Sequence, residues 1–224
     1  AVSYAVSFAA LLAMRTPFQE GRTREPAPIR KQLAEGFSFV WREPFIRITS
    51  FLYGIGNFTI PAFLFVLVVV ARRHGLGGGQ IGLLLGTFSA FVLIGSTVSA
   101  LVRRRLGARA IILIELYSGL LVLLFVAWPS VYVLAAAILP QAVVLPITDS
   151  VVISHRIRIT PDRLLGRVES VRATIARAAS PLGPLVAGLL LSSVSARTTV
   201  AVLAAATAGL AVWGTLSPAL RTAG

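Results

Sequence analysis

The chain has 224 residues, of which 56% are hydrophobic and only 13% are charged, and its formal net charge is +13. Globular domains carry about 25% charged residues, so this composition excludes an ordinary soluble protein and predicts a multi-pass membrane protein. The mean hydropathy of +0.86 points the same way. The positive charge does not indicate nucleic-acid binding, because the arginines lie between apolar runs of membrane-spanning length. Cysteine is absent, so disulfide and thiol chemistry are excluded.

Two stretches precede the main apolar region. Residues 1–14 are apolar but too short to cross a bilayer unaided. We interpret them as the truncated end of a preceding span, and an interfacial N-terminal helix is the alternative. Residues 15–44 are rich in proline, glycine and charge, which predicts a cytoplasmic linker.

A short amphipathic helix is predicted within this linker, over residues 29–41. Its apolar positions recur at three- and four-residue spacing and share one stripe, formed by Leu33, Phe37 and Val40. A helix of this kind lies along the membrane surface, with Trp41 at the level of the headgroups.

Six apolar segments follow, and each is near or above the roughly 20 residues that cross a bilayer. They cover residues 45–71, 80–102, 110–128, 131–154, 170–193 and 198–217. Backbone polar groups must be satisfied inside the apolar phase and no strand alternation is present, so these segments are predicted to be helices. The sequence therefore predicts an all-α transmembrane bundle of six helices over residues 45–217, followed by a cytoplasmic tail at residues 218–224.

The positions of the basic residues support this count. If the 15–44 linker is cytoplasmic, all but three of the 21 basic residues fall on the cytoplasmic side, and the exceptions are Arg72, Arg73 and Arg197. The distribution predicts a protein of the plasma or inner membrane whose basic loops and C-terminus are cytoplasmic.

One long helix is predicted to start before the fifth apolar segment and to continue into it. Its N-cap is Thr160 and its first helical residue is Pro161. Further along, Pro181 and Pro184 remove backbone donors, which predicts a kink or break at membrane depth. Breaks at this depth are typical of transport helices. Prolines predict similar irregularities in other spans, at Pro61, Pro140 and Pro146.

Small residues predict where two helices pack closely. Gly82 and Gly86 form a GxxxG pattern, and Gly95, Ser96 and Ser99 follow on the same segment. Side chains of this size permit the backbone of a neighbouring helix to approach.

Three polar side chains within the apolar segments are predicted to face a substrate cavity: Tyr53, Asn57 and Gln141. Asn57 and Gln141 lie about 15–18 Å from one end of their spans at 1.5 Å per residue, which is near the middle of the membrane. Transporter substrates bind at this depth. Hydrogen bonding between helices is the alternative role for these amides.

Charges near the cytoplasmic boundary form a second set of candidates, with a role in gating or coupling: Asp149, Arg177, Glu115, Arg103, Arg105 and Arg167. Charges within a span normally pair or face water. We predict that Asp149 pairs with Arg177, or that one of the two pairs with the Arg103–Arg105 turn, to close the cytoplasmic side. Extension of these side chains to the headgroups is the alternative.

Signals for catalysis are weak, and no enzyme is predicted. The glycine-rich stretch at residues 74–79 does not follow a strand, and Ser154 and His155 lie near Asp149 without a nucleophile elbow. The chain has two histidines and no metal-ligand spacing, so neither a metal site nor a cofactor is predicted.

Three stretches carry a more specific pattern. They are EGFSFVWREPF at residues 35–45, VRRRLGAR at 102–109, and ITPDRLLGRV at 159–168, which is followed by ASPLG at 179–183. Together they resemble the central loop, the basic turn between spans eight and nine, and the entry to span eleven of the major facilitator superfamily. The branch they resemble is that of the macrolide- and enterobactin-exporter-like proteins. The acid that usually precedes the arginines of the basic turn is absent here.

The resemblance implies that the chain is the C-terminal half of such a transporter, whose N-terminal six-span half is the missing partner. It implies alternating access, with a small-molecule substrate between two halves and spans seven and ten facing the cavity. The predicted function is secondary active efflux of bulky amphipathic molecules such as drugs or secondary metabolites, as a proton-coupled multidrug antiporter. The alternative is a non-transporting truncated half, or a membrane scaffold that needs a partner half.

Overall fold

The computed structural model describes residues 2–13 and 28–221, which form helices and short connections. The α-helices are α1 (Val2–Ala13), α2 (Ile29–Arg42), α3 (Pro44–Arg73), α4 (Gly78–Arg105), α5 (Ala108–Ser118), α6 (Leu124–Ala127), α7 (Val131–Ile159), α8 (Leu165–Ala178), α9 (Leu182–Ser193), α10 (Ala196–Leu216) and α11 (Pro218–Arg221). Two 3₁₀ segments, Gly119–Leu123 and Asp162–Leu164, join α5 to α6 and α7 to α8. Residues 15–27 of the predicted 15–44 linker and the last three residues of the predicted tail lie outside the described part.

Six helical units of the described chain are long and apolar enough to cross a membrane. Four are single helices, α3, α4, α7 and α10; one combines α5 and α6, and one combines α8 and α9. Each predicted segment overlaps one of these units, so the predicted all-α bundle of six spans is confirmed. The 30 residues of α3 extend over about 45 Å, which exceeds the apolar core of a bilayer.

The arginines divide the bundle into two unlike ends. The basic end holds α2, the α4–α5 turn and the α7–α8 connection. At the opposite end, Arg73 donates from Nη2 to the Leu191 carbonyl at 3.0 Å, and Arg197 donates to the Val126 and Ala127 carbonyls. These carbonyls belong to the last turns of α9 and α6, where no intrahelical donor is available. Both arginines therefore stabilise helix C-termini.

Local signals explain two of the sharper turns. Gly75 follows α3 with φ +78°, and the Leu76 N–H donates to the Ala71 carbonyl at 3.0 Å, which is a glycine-dependent helix end. Ser195 precedes α10 and its Oγ accepts a hydrogen bond from the Thr198 N–H at 3.1 Å.

The helix start predicted at Thr160 and Pro161 is wrong. Thr160 ends α7, with its N–H donating to the Arg156 carbonyl at 3.0 Å, and Pro161 has an extended ψ of 138°. The proline ring clashes with the preceding residue in the helical conformation, so α7 ends before Thr160. The chain instead reverses through a 3₁₀ turn and α8 begins at Leu165.

The unit formed by α8 and α9 is interrupted at residues 179–181. Pro181 immediately precedes α9, and Pro184 lies in its first turn, where a missing backbone donor costs no intrahelical hydrogen bond. By contrast, α3 and α7 continue as helices through the prolines of the other spans, Pro61, Pro140 and Pro146.

The stripe predicted for α2 divides between the bundle and the outside of the molecule, and its position at the membrane surface stays a prediction. Val40 is 2% exposed and packs with Ile46, but Leu33 is 52% exposed and Phe37 is also half exposed. The close contact with α8 is made by Gly36, since a Cβ on Gly36 would lie 2.9 Å from the Arg167 carbonyl oxygen. We call the exposed row Leu33, Phe37 and Trp41 the outer edge of α2.

The C-terminal segment is not a free tail over its described part. Residues 218–221 form α11, which packs against α3, and Leu220 is fully buried in a cluster with Phe45 and Leu210. The apolar residue at this position explains why the chain folds back onto the bundle.

The close helix contact of α4 is made by Gly95 and not by the GxxxG pair. Nothing lies within 4 Å of a Cβ placed on Gly82 or Gly86, whereas a Cβ on Gly95 would lie 2.0 Å from the Val143 carbonyl oxygen of α7. The predicted contact at Gly82 and Gly86 is therefore not present among the described helices.

Candidate functional site

A cavity of about 220 Å³ lies inside the bundle, between α3, α5, α7 and α10. Aliphatic side chains form much of its wall. Its polar lining comprises Thr49, Tyr53, Asn57, Thr59, Glu115, Gln141, Thr148, Asp149 and Thr207.

The three residues predicted to face a substrate cavity, Tyr53, Asn57 and Gln141, all line this space. Asn57 donates from Nδ2 to the Tyr53 carbonyl of its own helix at 2.8 Å, which leaves its amide oxygen for other partners. The sequence interpretation placed these residues between two six-helix halves. In the structure they line a cavity within a single bundle.

Glu115 and Asp149 line the same cavity, although their depth in the sequence grouped them with gating charges. Asp149 lies about 15 Å from the end of α7 at 1.5 Å per residue. Among the described residues, no basic side chain comes within 4 Å of either carboxylate. A charged carboxylate without a cation is costly in an apolar bundle, so the two groups make this cavity a candidate functional site.

Tyr53 connects the two carboxylates to the basic end of the bundle. Its hydroxyl is buried, makes no hydrogen bond of normal geometry within the described chain, and lies within electrostatic reach of Glu115 and Asp149. The Cζ of Arg172 on α8 lies 5.7 Å from the centre of the Tyr53 ring, which is a cation–π contact.

Three charged residues form an ion network between α7 and α8. Glu169 accepts from Arg156 Nη2 at 2.6 Å and from Arg172 Nη2 at 2.7 Å. Arg156 is buried, so this pairing is what compensates its charge. Through Arg172 the network also contacts Tyr53 at the cavity wall.

Sequence interpretation missed this ion network. Two signals were available: Arg156 follows Asp149 by seven residues and so shares its face of α7, and Glu169 and Arg172 have the i, i+3 spacing of a helical ion pair. Neither signal identifies the partner on the other helix, which requires the packing of α7 against α8.

The predicted ion pair between Asp149 and Arg177 is not formed. Arg177 is exposed, and within the described residues no ion pair joins it or Asp149 to the Arg103–Arg105 turn. Arg103 instead donates to the Ser154 hydroxyl at 3.3 Å, and Arg105 is exposed. The reason is the rotation of α8: Arg172 faces the bundle, and Arg177 lies about 140° further around the helix.

Arg167 attaches α2 to the bundle. Its guanidinium forms an ion pair with Glu35 of α2, and both side chains are partly exposed. The backbone of Arg167 also forms the surface on which Gly36 packs.

We expect Gly36→Ala to loosen α2 more than Glu35→Gln does. The added methyl group would collide with the backbone of Arg167, and overpacking costs about 1–3 kcal/mol. A partly exposed ion pair contributes only about 0.2–1 kcal/mol. Hydrogen–deuterium exchange over residues 29–42 should therefore accelerate by roughly tenfold or more for Gly36→Ala and by no more than about fivefold for Glu35→Gln.

The matched control is Ala34→Ser, which changes an exposed position of α2. Its exchange should follow that of the unmodified protein. Faster exchange in Glu35→Gln than in Gly36→Ala would contradict the assignment of the main α2 contact to the helix backbones.

Six spanning helices with a partly polar cavity between four of them, lined by two carboxylates, are features of an integral membrane protein and are typical of the transporter class. The family model of the Major Facilitator Superfamily matches residues 48–222. The match covers most of the chain, which therefore belongs to the major facilitator superfamily. Comparisons with curated proteins and with solved structures returned no match.

The family assignment supports secondary transport of a small molecule across a membrane as the general function. It confirms the superfamily part of the resemblance noted in the sequence. Because members of this superfamily are transporters, it also agrees with the expectation that the chain is not an enzyme.

Proposed function

We propose that the chain is the C-terminal six-helix half of a secondary exporter in the macrolide- and enterobactin-exporter-like branch. In this proposal it exchanges protons for bulky amphipathic molecules in a plasma or inner membrane, with the basic end of the bundle in the cytoplasm. The observation that carries the proposal is the presence of two carboxylates without a basic partner, Glu115 and Asp149, in a cavity that also holds Tyr53, Asn57 and Gln141.

The size of the cavity favours the coupling step over substrate binding. Its volume of about 220 Å³ is below the roughly 300–1,000 Å³ of sites that hold drug-sized molecules. It matches the space of about seven water molecules at roughly 30 Å³ each. We therefore assign proton binding to Glu115 and Asp149, with Asn57 and Gln141 as polar groups that orient water around them.

A bulky substrate then needs a second surface, and α4 is the best candidate to provide it. Only 11% of the most apolar stretch of α4 is buried inside the bundle. Exposed glycine, serine and threonine residues occur along the helix. In the proposal this helix faces the N-terminal six-span half, and the substrate passes between the halves by alternating access.

The α7–α8 ion network links coupling to the basic end. A proton on Asp149 removes a negative charge close to Tyr53, and Tyr53 contacts Arg172 of the network. The change in charge alters the balance that holds Arg172 between the Tyr53 ring and Glu169. We propose that Arg172 is thereby released and that the basic end of the bundle opens. The sequence interpretation gave this gating role to Arg177, Arg103, Arg105 and Arg167.

We expect Asp149→Asn and Glu115→Gln each to slow uphill transport by roughly 5- to 150-fold and to spare exchange of substrate at equilibrium. Neutral side chains cannot carry the proton, and coupling free energies of about 1–3 kcal/mol correspond to losses of roughly 5- to 150-fold. The protein is reconstituted in liposomes, and the efflux of a fluorescent lipophilic dye is followed under an imposed pH gradient and then as dye counterflow. Asp162→Asn, an exposed carboxylate at the basic end, is the matched control.

The outcomes separate the competing functions. Loss of gradient-driven efflux with intact counterflow supports the coupling role, whereas equal loss of both modes would contradict it. No transport by any form of the chain, with transport on co-expression of a six-span partner, would favour the half that needs a partner. No transport under either condition would favour a scaffold.

A further inference from the structure

A second concave surface lies at the basic end of the bundle and is separate from the cavity. It is a groove of about 590 Å³ between α2, the beginning of α3, the end of α10 and α11. Its lining includes two tryptophans, Trp41 and Trp213, one cation, Arg47, and apolar side chains such as Phe51 and Leu216. This combination of one charge, two indoles and an apolar wall is complementary to an amphipathic molecule.

Arg47 is oriented in the groove and is not neutralised. One of its Nη1 protons is donated to the Trp41 carbonyl at 3.0 Å, and its Cζ lies 5.8 Å from the centre of the Trp41 ring. The side chain is exposed, and within the described residues no carboxylate comes within 4 Å of it. The guanidinium therefore keeps donors available for an external anion.

The groove is continuous with the outer edge of α2. Phe37 stacks on Trp41 with ring centres 5.8 Å apart, and Trp41 meets Phe51 of α3 edge-on at 6.2 Å. Leu33 extends this row and is half exposed. In a membrane protein, exposed aromatic and aliphatic side chains beside a spanning helix face lipid, and tryptophan favours the headgroup level.

We propose that this groove is a binding site for one anionic phospholipid. The Arg47 guanidinium contacts the lipid phosphate, the two tryptophans hold the headgroup level, and an acyl chain lies over Phe51 and Leu216. Guanidinium groups pair with phosphate through two parallel hydrogen bonds, and the surrounding arginines of the basic end raise the local concentration of anionic lipid. A free anion would leave the apolar wall exposed, and an apolar peptide would leave Arg47 unpaired. The proposal is independent of the transport mechanism.

The tryptophans of the groove make it measurable. The chain has three tryptophans, and the third, Trp128, lies at the end of α6, away from the basic end. In a Trp128→Phe background the remaining fluorescence comes from the groove. The protein is reconstituted in phosphatidylcholine bilayers, and quenching is titrated with brominated phosphatidylglycerol or brominated phosphatidylcholine. We expect brominated phosphatidylglycerol to quench at a mole fraction about fivefold lower than brominated phosphatidylcholine does. This ratio corresponds to the attraction between one arginine near the membrane surface and an anionic lipid.

Variants separate a site from general surface attraction. Arg47→Gln is expected to remove the preference for phosphatidylglycerol, and Arg47→Lys is expected to keep part of it. Arg104→Gln removes the same charge elsewhere at the basic end and is expected to leave the preference unchanged. Each variant is first checked for unchanged helical circular dichroism. If Arg47→Gln does not fold, Arg47→Lys and the lipid comparison in the parent protein carry the test.

Four results would overturn the proposal. Equal quenching by the two lipids would exclude a preference for the anionic lipid. Equal effects of Arg47→Gln and Arg104→Gln would show that the preference comes from the general surface charge and not from a site at Arg47. Loss of the preference in millimolar inorganic phosphate would indicate a free-anion site. Absence of quenching by either lipid would indicate that protein covers the groove.

Discussion

Gly95→Ala is expected to lower the free energy of unfolding by about 3 kcal/mol, the upper end of the usual cost of overpacking. A Cβ at this position would lie 2.0 Å from the carbonyl oxygen and 2.8 Å from the carbonyl carbon of Val143. Both are backbone atoms, so no change of rotamer relieves the collision and α4 must move away from α7. Unfolding in mixed micelles with increasing dodecyl sulfate, followed by circular dichroism, measures the loss.

Gly86→Ala is the matched control, because it places the same methyl group on the same helix with nothing within 4 Å. It should be neutral or stabilising by about 0.5–1 kcal/mol, the gain in helix propensity over glycine. Gly183→Ala should behave like Gly95→Ala, since its Cβ would lie 2.1 Å from the Phe58 carbonyl oxygen. A Gly95→Ala protein within about 0.5 kcal/mol of Gly86→Ala would contradict the packing described for α4 and α7.

Glu169→Gln is expected to lower the free energy of unfolding by roughly 2–3 kcal/mol. Breaking a buried ion pair costs about 3–5 kcal/mol because the remaining charge is left without a partner. The Arg156 side chain is 9% exposed, but that of Glu169 is 45% exposed, so solvent screens part of the interaction and the lower figure applies. The same mixed-micelle unfolding measures it, with Asp162→Asn as the control for loss of an exposed carboxylate.

The triple variant Arg156→Met, Glu169→Leu and Arg172→Met tests the physical cause, because both arginines pair with Glu169 and both side chains are largely buried. If the loss comes from uncompensated buried charge, replacing all three members by apolar side chains should recover most of the stability of the unmodified protein. If the triple variant is instead less stable than Glu169→Gln alone, the network contributes through its geometry and not through charge compensation.

The two pairs of experiments address different parts of the molecule. The glycine substitutions test how the spans pack, and the ion-network substitutions test how α7 is joined to α8 beside the cavity. Retained stability in Glu169→Gln with lost coupling would separate the gating role of the network from its structural role.

The sequence predicted the six spans because length and hydropathy are properties of each segment alone. It predicted that Tyr53, Asn57 and Gln141 face a substrate cavity; in the structure the three line one cavity, and its role in substrate binding stays a prediction. It failed where a side chain had to be assigned to one face of a helix. Arg177 was assigned to an ion pair with Asp149, but it is exposed, and Arg172 on the same helix faces the cavity wall instead.

This failure has a physical cause. In a soluble protein the polar side of a helix faces water, so the pattern identifies the buried side. In a membrane bundle the lipid is as apolar as the protein interior, and the pattern cannot distinguish the two. The rotation of each helix is then decided by close packing of small residues and by a few charges.

The sequence by itself determined the class of protein, the number of spans and the concentration of arginines at one end, because hydropathy and charge act segment by segment. Only the tertiary structure decided that Glu115 and Asp149 share a cavity, that Glu169 pairs with Arg156 and that Arg177 pairs with neither. Such pairings depend on helix rotation and on distances between helices remote in the chain, to which local periodicity is not sensitive.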